Sequence, residues 1–147
     1  MIAPKSIIFF DGVCNLCNAS IDFVIQRDTN DKFLVGALQE DLSQKILSRY
    51  DVREDYLDSI VLVEQEKIYF KSTAALKIAK HLSGLWPVLY PLIFLPKFLR
   101  DPIYNWIGTN RYRWFGKKST CRLPTPAEKA KFLSEDTLAQ TGIKLPH

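Results

Sequence analysis

Four short runs of apolar residues predict the strands of a sheet. Ser6 to Phe10 is rich in β-branched and aromatic side chains, which is typical of a strand buried on both faces. Phe33 to Leu38 is a second such run, and two more follow at Ile60 to Val63 and at Ile68 to Phe70. Only a short acidic turn separates the last two runs, so we expect them to pair antiparallel.

Apolar residues between these runs recur at helical spacing and predict three helices. One face of the first helix is formed by Cys17, Ile21, Val24 and Ile25, at positions i, i+4, i+7 and i+8. A second helix is marked by Leu42, Ile46, Leu47 and Tyr50. The third helix has Ser72 as its predicted N-cap and Gly84 as its stop signal. The order β-α-β-α-β-β-α indicates an α/β protein with a thioredoxin-like mixed sheet flanked by helices.

The pattern changes after the third helix. Several prolines break the apolar stretch that follows into short pieces. Asp101 followed by Pro102 has the signature of a helix start, and Gly116 that of a helix end. Three apolar residues share a face of this helix and are expected to dock it on the sheet or the first helix: Trp106, Ile107 and Trp114. A last short helix is predicted from Ala127 to Leu133.

The length of 147 residues is that of one ordinary domain. We predict a core over about 5–84, a helical extension over about 85–134 packed on the core, and a tail over 135–147. Three cysteines are too few for a secreted disulfide scaffold. The N-terminus has no signal-peptide pattern, and the longest apolar stretch, Leu85 to Leu95, is too short to span a bilayer. These features predict a cytoplasmic protein without a transmembrane segment.

Positive charge is concentrated in one part of the chain. The window from Lys97 to Arg122 carries a net charge of +6, so the rest carries −2 of the total of +4. Basic and aromatic residues alternate at Arg111, Arg113 and Trp114, which is one way to build a surface for an anionic partner. The alternative is that the rings pack on the core while the arginines are solvated or pair with acids. The helical phase favours packing, so no nucleic-acid partner is expected.

The motif Cys14-Asn15-Leu16-Cys17 carries the clearest chemistry. It follows the first predicted strand and therefore falls at a strand-to-helix turn, where a redox-active dithiol belongs. A helix N-terminus offers free N–H groups and the positive end of the helix dipole to the first sulfur, which favours its thiolate. Cys14 is therefore the candidate nucleophile. Cys17, one turn further on, is the candidate resolving thiol that completes a redox-active disulfide.

Two other interpretations of the cysteines stay open. The pair can be half of a zinc site, because CxxC is a common metal-binding spacing. The remaining possible ligands are distant and unpaired: Cys121, His81 and His147. The pair can also be two inert buried thiols. Cys121 is more typical of a small buried side chain than of a third redox thiol.

Asp11, at the end of the first strand, is the third candidate catalytic residue. Its carboxylate can take a proton from a thiol during exchange, or disfavour a nearby thiolate through its charge. The structural alternative is a turn residue whose carboxylate accepts hydrogen bonds from loop N–H groups. Sequence alone leaves both roles open.

The segment from Asp11 to Asn18, DGVCNLCN, resembles the signature of the DCC family of thiol–disulfide oxidoreductases, named for its Asp-Cys-Cys pattern. Further matching blocks follow in order: Leu38-Gln39, Lys71 to Ala74, Arg100 to Tyr104, Asn110 to Gly116, and Cys121 with Pro124. The resemblance implies a thioredoxin-like fold and protein-disulfide reductase chemistry. Such an enzyme needs no bound organic cofactor. Its partners are a disulfide substrate and a thiol reductant.

The chain departs from ordinary thioredoxins in two places. No proline stands in Leu57-Asp58-Ser59, ahead of the third predicted strand, and the residues between the cysteines are Asn15-Leu16 rather than Gly-Pro. Partner docking and redox potential therefore do not transfer from thioredoxin. The alternative function is a redox-sensing or binding module whose basic, aromatic C-terminal segment holds an anionic partner.

Overall fold

The computed structural model describes residues 6–12, 14–28, 32–38, 40–48, 50, 60–64, 67–82, 84, 86–116 and 131–133. Its elements are β1 (Ser6–Phe10), α1 (Asn15–Arg27), β2 (Phe33–Ala37), α2 (Asp41–Ser48), β3 (Val61–Glu64), β4 (Lys67–Phe70), α3 (Lys71–Lys80), a 3-10 segment (Trp86–Phe94) and α4 (Lys97–Phe115). The order through α3 is the predicted one. The fold class is therefore confirmed as a mixed α/β architecture consistent with a thioredoxin-like fold.

The four strands form one sheet in the order β2-β1-β3-β4. β1 lies parallel to β2 and antiparallel to β3, and β3 pairs antiparallel with β4 as predicted. All five residues of β1 are buried, because strands flank it on both sides and helices cover both faces. A strand in this position is fixed on every side, so the loop that follows Phe10 starts from a rigid support.

Side chains of β1 alternate between two apolar cores, as the two-residue period of a strand requires. Ile8 and Phe10 point to the core formed with α1 and α3. Ile7 and Phe9 point to the core formed with α2. Cys17 packs against the first of these cores, which confirms that it shares a helix face with Ile21 and Val24. The redox motif therefore lies on the α1–α3 side of the sheet.

Residues 131–133 lie against the edge strand β2. Phe132 forms a parallel bridge with Val35, and the Leu133 N–H donates to the Val35 carbonyl oxygen at 2.7 Å. Both side chains are buried in the core. The predicted helix from Ala127 to Leu133 is therefore wrong at its end, where strand-like pairing satisfies the open edge of β2. Residues 127–130, the predicted tail, Cys121 and Leu57-Asp58-Ser59 lie outside the described residues.

Two predicted helix starts are wrong. The third helix begins at Lys71, directly after β4, so the N-cap position belongs to Phe70 rather than Ser72. The fourth begins at Lys97 with Pro96 as its N-cap, and the Leu99 N–H donates to the Pro96 carbonyl oxygen at 3.0 Å. Asp101 and Pro102, the predicted start, therefore lie inside α4. One of these helices thus follows directly from a strand and the other from a proline, and neither begins at its predicted capping residue.

The extension, residues 86–116, lies against α3 and α1. No residue of its 3-10 segment or of α4 is fully buried. Trp106 is 61% exposed, and its ring contacts the similarly exposed Trp114 edge to face at 5.0 Å between centroids. The prediction that these two tryptophans dock α4 is therefore wrong, whereas Ile107, the third residue of that prediction, lines a space shared with α1 and α3. Polar side chains on the opposite side of the helix make the contacts to the core, and they converge on the redox motif.

Candidate functional site

The turn between β1 and α1 is built around Cys14. Its N–H donates to the Asp11 carbonyl oxygen at 3.2 Å, which closes the turn after the strand. Cys14 has an extended backbone and is the N-cap of α1. Its sulfur accepts a hydrogen bond from the Cys17 backbone N–H at 3.2 Å, the bond that a serine or aspartate makes at this position. The sequence motif therefore lies where predicted, with the first sulfur in the capping position.

The two sulfurs differ in their environment. Both belong to free thiols, but Cys14 is 0% exposed, whereas Cys17 is half-buried. Burial raises the pKa of the Cys17 thiol well above its ordinary range, and a hydrogen bond to Cys14 and the charge of that residue raise it further. The Cys17 thiol therefore keeps its proton at neutral pH. The buried sulfur of Cys14 accepts a backbone hydrogen bond, and the sulfur of Cys17 is the more accessible of the two.

Asn18, in the first turn of α1, stabilises the turn between β1 and α1. Its side-chain amide donates to the carbonyl oxygens of Gly12 at 2.9 Å and of Cys14 at 3.0 Å, and the residue is buried. Sequence reasoning noted Asn18 only as part of the family signature. Its position four residues after Cys14 was the available signal, because an i+4 amide reaches back to the first turn of a helix.

Asp11 joins the motif to α4. It is 3% exposed, and its Oδ2 is 3.2 Å from Nη2 of Arg111, one hundred residues later in the chain. The Tyr112 hydroxyl donates to the same oxygen. Burial, this hydrogen bond and the Asp11 charge raise the pKa of Tyr112 to about 12. Pairing of the arginines with acids was one of the alternatives that the sequence left open, and for Arg111 the acid is Asp11 at the candidate site.

The C-terminal end of α4 contacts the residue after Cys14. The Asn15 side-chain amide donates to the Phe115 carbonyl oxygen at 2.8 Å. The backbone N–H of Asn15 donates to the Gly116 carbonyl oxygen at 3.3 Å. Gly116 has φ +85°, which favours glycine, and a Cβ built there would lie 2.9 Å from Asn15 Nδ2. The predicted helix stop at Gly116 is confirmed. It also brings the chain into contact with the CxxC motif.

A cavity of about 480 Å³ borders the dithiol. Its wall is formed by α1, α3, α4 and the end of β1, and it includes Cys17, Asp11 and Arg111. Cys14 is not part of the wall. The remaining lining is almost entirely apolar, with Phe10 and Leu16 close to the motif. A molecule in this cavity therefore meets Cys17 before Cys14.

The other residues considered for metal binding do not join the dithiol in the described structure. His81 is half-buried and packs edge to face on Phe33, and burial followed by the charge of Lys32 lowers its pKa. Among the described residues, no three His, Cys, Asp or Glu side chains come together as metal ligands. His147 lies outside those residues. None of the helices that the structure describes combines the length and apolar character needed to cross a membrane.

A thioredoxin-like sheet with two cysteines at the turn into its first helix defines the class of protein. The DCC1-like thiol-disulfide oxidoreductase family matches residues 8–117, and the chain belongs to that family. It is 42% identical over 130 residues to the uncharacterized protein YuxK of Bacillus subtilis, covering 88% of this chain and 95% of YuxK.

A second relative is a DCC family protein of Arabidopsis thaliana, whose name describes it as chloroplastic. It is 42% identical over 120 residues, which cover 81% of this chain and 70% of the relative. No solved structure matches the chain at a significant level. The family thus gives a general thiol–disulfide redox role, and the residues of this chain must supply the detail.

Proposed function

We propose that the protein is a thiol–disulfide oxidoreductase of the protein-disulfide reductase type, with Cys14 and Cys17 as its dithiol. The observation that carries the proposal is the hydrogen bond from the Cys17 N–H to the Cys14 sulfur at the N-terminus of α1. A helix N-terminus directs free N–H groups and the positive end of its dipole at this sulfur, which is the position that the proposal gives to the nucleophile. Membership of the family supports the same reaction class.

The proposed reaction has two exchange steps. The Cys14 thiolate attacks one sulfur of a substrate disulfide, the substrate S–S bond breaks, and the departing thiolate takes a proton. Cys17 then loses its proton and attacks Cys14, which releases the second substrate thiol and leaves a Cys14–Cys17 disulfide. Two electrons pass from the protein to the substrate. A thiol reductant, in the compartment proposed to be the cytoplasm, restores the dithiol.

Asp11 is proposed to act on the second step. Its charge raises the pKa of Cys17, while the charge of Arg111 lowers it. The ion pair between these two residues therefore balances opposite effects on the resolving thiol. In this role Asp11 positions the turn and adjusts the readiness of Cys17 to lose its proton. Its carboxylate also lines the cavity and can accept that proton when the pair with Arg111 loosens.

The burial of the two sulfurs favours the opposite order of attack. Cys14 is fully buried, so it must be uncovered before it can react, whereas Cys17 already borders the cavity. The thiolate argument favours Cys14, and the access argument favours Cys17. A trapping experiment separates them, because the attacking cysteine forms the mixed disulfide and the other one resolves it.

The test uses Cys14→Ser and Cys17→Ser with a disulfide peptide, read by mass spectrometry of the intact protein. We expect Cys17→Ser to accumulate a mixed disulfide at Cys14 and Cys14→Ser to be inactive. Cys121→Ser is the matched control and should reduce the peptide at the wild-type rate. Stable trapping at Cys17 in the Cys14→Ser protein would reverse the two roles. Full turnover by both single variants would overturn the dithiol mechanism.

A second candidate function, a binding module, is favoured by the surface of the extension. Thirteen large apolar residues of the described structure are exposed, and all lie between Trp86 and Phe115. Basic residues such as Lys97 and Arg113 lie exposed on the same segment. An apolar surface of this kind with positive charge fits an anionic partner, with the cysteines as a redox sensor. Turnover of disulfides by the wild-type protein would favour the enzyme over this module.

A further inference from the structure

The cavity beside Cys17 is larger than a thiol exchange site requires. Its volume of about 480 Å³ lies within the roughly 300–1,000 Å³ range of pockets that bind small molecules. Phe23 of α1 and Trp86 of the 3-10 segment form part of the wall, with their rings in edge-to-face contact at 4.6 Å. The space therefore accepts a bulky group next to the reacting sulfur.

Most of the polar groups in the wall are already engaged with the protein. The Ser20 hydroxyl donates to the Leu16 carbonyl oxygen at 2.9 Å, and the Tyr104 hydroxyl accepts from the Ile60 N–H at 3.0 Å. The one described cation in the wall, Arg111, is paired with Asp11. A charged substituent would thus lose its hydration for little return, whereas an apolar one gains the full benefit of leaving water.

The solvent exposure of the lining residues indicates where the cavity opens to the outside. Trp86 and Ile107 line the cavity and are also more than a third exposed to solvent. Both belong to the apolar surface of the extension. The apolar lining therefore continues from the cavity to the outside of the protein at these two residues. Ala75 of α3, which is exposed and lines the cavity, lies at the same boundary.

We propose that this cavity selects disulfides that carry a bulky, uncharged apolar substituent, with the substituent in the cavity and the S–S bond beside Cys17. The inference rests on the proposed oxidoreductase function and names its substrate class. The chemistry is the two-step exchange described above: the substrate disulfide gains two electrons and two protons and leaves as two thiols. The protein dithiol becomes the Cys14–Cys17 disulfide.

The first test compares two dialkyl disulfides of similar intrinsic reactivity, bis(2-phenylethyl) disulfide and bis(2-carboxyethyl) disulfide. We expect kcat/KM to be about tenfold to a hundredfold higher for the phenyl compound, as for other apolar pockets. Equal rates, or a preference for the carboxylate compound, would overturn the substrate class while leaving the oxidoreductase function intact. Reduction of neither compound, nor of the peptide used above, would instead overturn the function.

The second test fills the mouth of the cavity. Ala75→Trp should remove most of the preference for the phenyl compound, because the new side chain occupies the space that only the apolar group uses. Lys45→Trp is the control, since Lys45 is exposed on α2 on the other face of the sheet. An unchanged preference in Ala75→Trp would contradict the proposal.

Binding can be measured without any redox step. Bis(2-phenylethyl) sulfide has the same substituents but no disulfide to reduce. In a Trp106→Phe, Trp114→Phe background, Trp86 is the remaining tryptophan, and its fluorescence should change saturably with the sulfide. The change should disappear in the same background when Ala75→Leu fills the cavity mouth. A signal that does not saturate, or that survives Ala75→Leu, would show that the apolar group binds elsewhere.

Discussion

The sheet and the extension are stabilised in different ways. In β1 every residue is buried, and the cores on its two faces are almost entirely apolar. In the 3-10 segment and α4 none is fully buried, although both carry many large apolar side chains. Burial of apolar surface is the main favourable term in folding. The stability of the protein therefore comes mainly from the core, and apolar burial contributes less to holding the extension.

Directional contacts fix the extension, and most of them end near the dithiol. Arg111 pairs with Asp11, and the Phe115 carbonyl oxygen accepts from Asn15. Away from the dithiol, Arg100 of α4 donates to the hydroxyl of Thr73, near the start of α3, at 3.2 Å. A few polar bonds give less stability than an apolar core, but they fix position. By these contacts, α4 belongs to the redox site more than to the folding core.

The largest expected difference is between two phenylalanines. Phe9 is fully buried and Phe98 is 74% exposed. Phe9→Ala should lower the free energy of unfolding by about 3–5 kcal/mol, because it leaves a cavity in the core. Phe98→Ala should change it by less than about 0.5 kcal/mol. Urea unfolding of both variants measures the contrast, and similar losses would break the distinction between the two regions.

A second pair of variants tests the contact between the regions. Arg111→Leu leaves the buried Asp11 carboxylate without its cation, so we expect a loss of about 3 kcal/mol in unfolding free energy. Disulfide turnover should fall as well. Arg113→Leu, two residues away and exposed, should cost less than about 0.5 kcal/mol and keep the activity. Equal behaviour of the two arginines would mean that the ion pair does not hold α4.

A third pair compares two glycines with nearly the same backbone. Gly84 has φ +88° and Gly116 has φ +85°. Among the described residues, a Cβ at Gly84 would meet only Trp86, at 3.8 Å, whereas at Gly116 it would meet Asn15 at 2.9 Å. Both alanine variants should lose about 1 kcal/mol from the backbone, and Gly116→Ala should lose about 1 kcal/mol more. Thermal unfolding measures the difference. If the losses match, the contact with Asn15 is unimportant.

Cys17 lies where the two regions meet. Its pKa is raised by burial and by Cys14, so the reactive thiolate is a minor species at neutral pH. Labelling of Cys17 by iodoacetamide in the reduced protein should therefore rise about tenfold per pH unit from 6 to 9 without a plateau. Peptide mass spectrometry follows Cys17 separately from Cys14. A plateau below about pH 8.5, the ordinary thiol value, would contradict the raised pKa.

Local patterns predicted the core well. The run from Ser6 to Phe10 and the antiparallel pairing of β3 with β4 follow from strand-like composition and a short turn. The motif from Cys14 to Cys17 could be placed at a helix start because the strand before it was clear. Asp11 could be predicted as a candidate residue, but its role could not, since its partner Arg111 is one hundred residues away. No local sequence pattern predicts that ion pair.

The extension was harder to predict for a different reason. Helical phase showed that Trp106 and Trp114 share a face, and they do contact each other. Phase does not say which face meets the core. Here the side of α4 that carries Tyr104 and Arg111 faces the core, because hydrogen bonds and an ion pair are available there. The wall of the cavity beside Cys17 is formed by residues of three helices, so no single segment of the sequence predicts the cavity.

The contact of Asn15 with the end of α4 has a practical consequence for anyone who exchanges CxxC motifs between proteins. Asn15 is one of the two residues between the sulfurs, and it also bonds the Phe115 and Gly116 carbonyl oxygens. A grafted Gly-Pro dipeptide would change the chemistry of the sulfurs and, in the same step, remove the side-chain bond to the Phe115 carbonyl oxygen at the end of α4. Interpretable grafts in this chain therefore keep Asn15 and vary Leu16 alone.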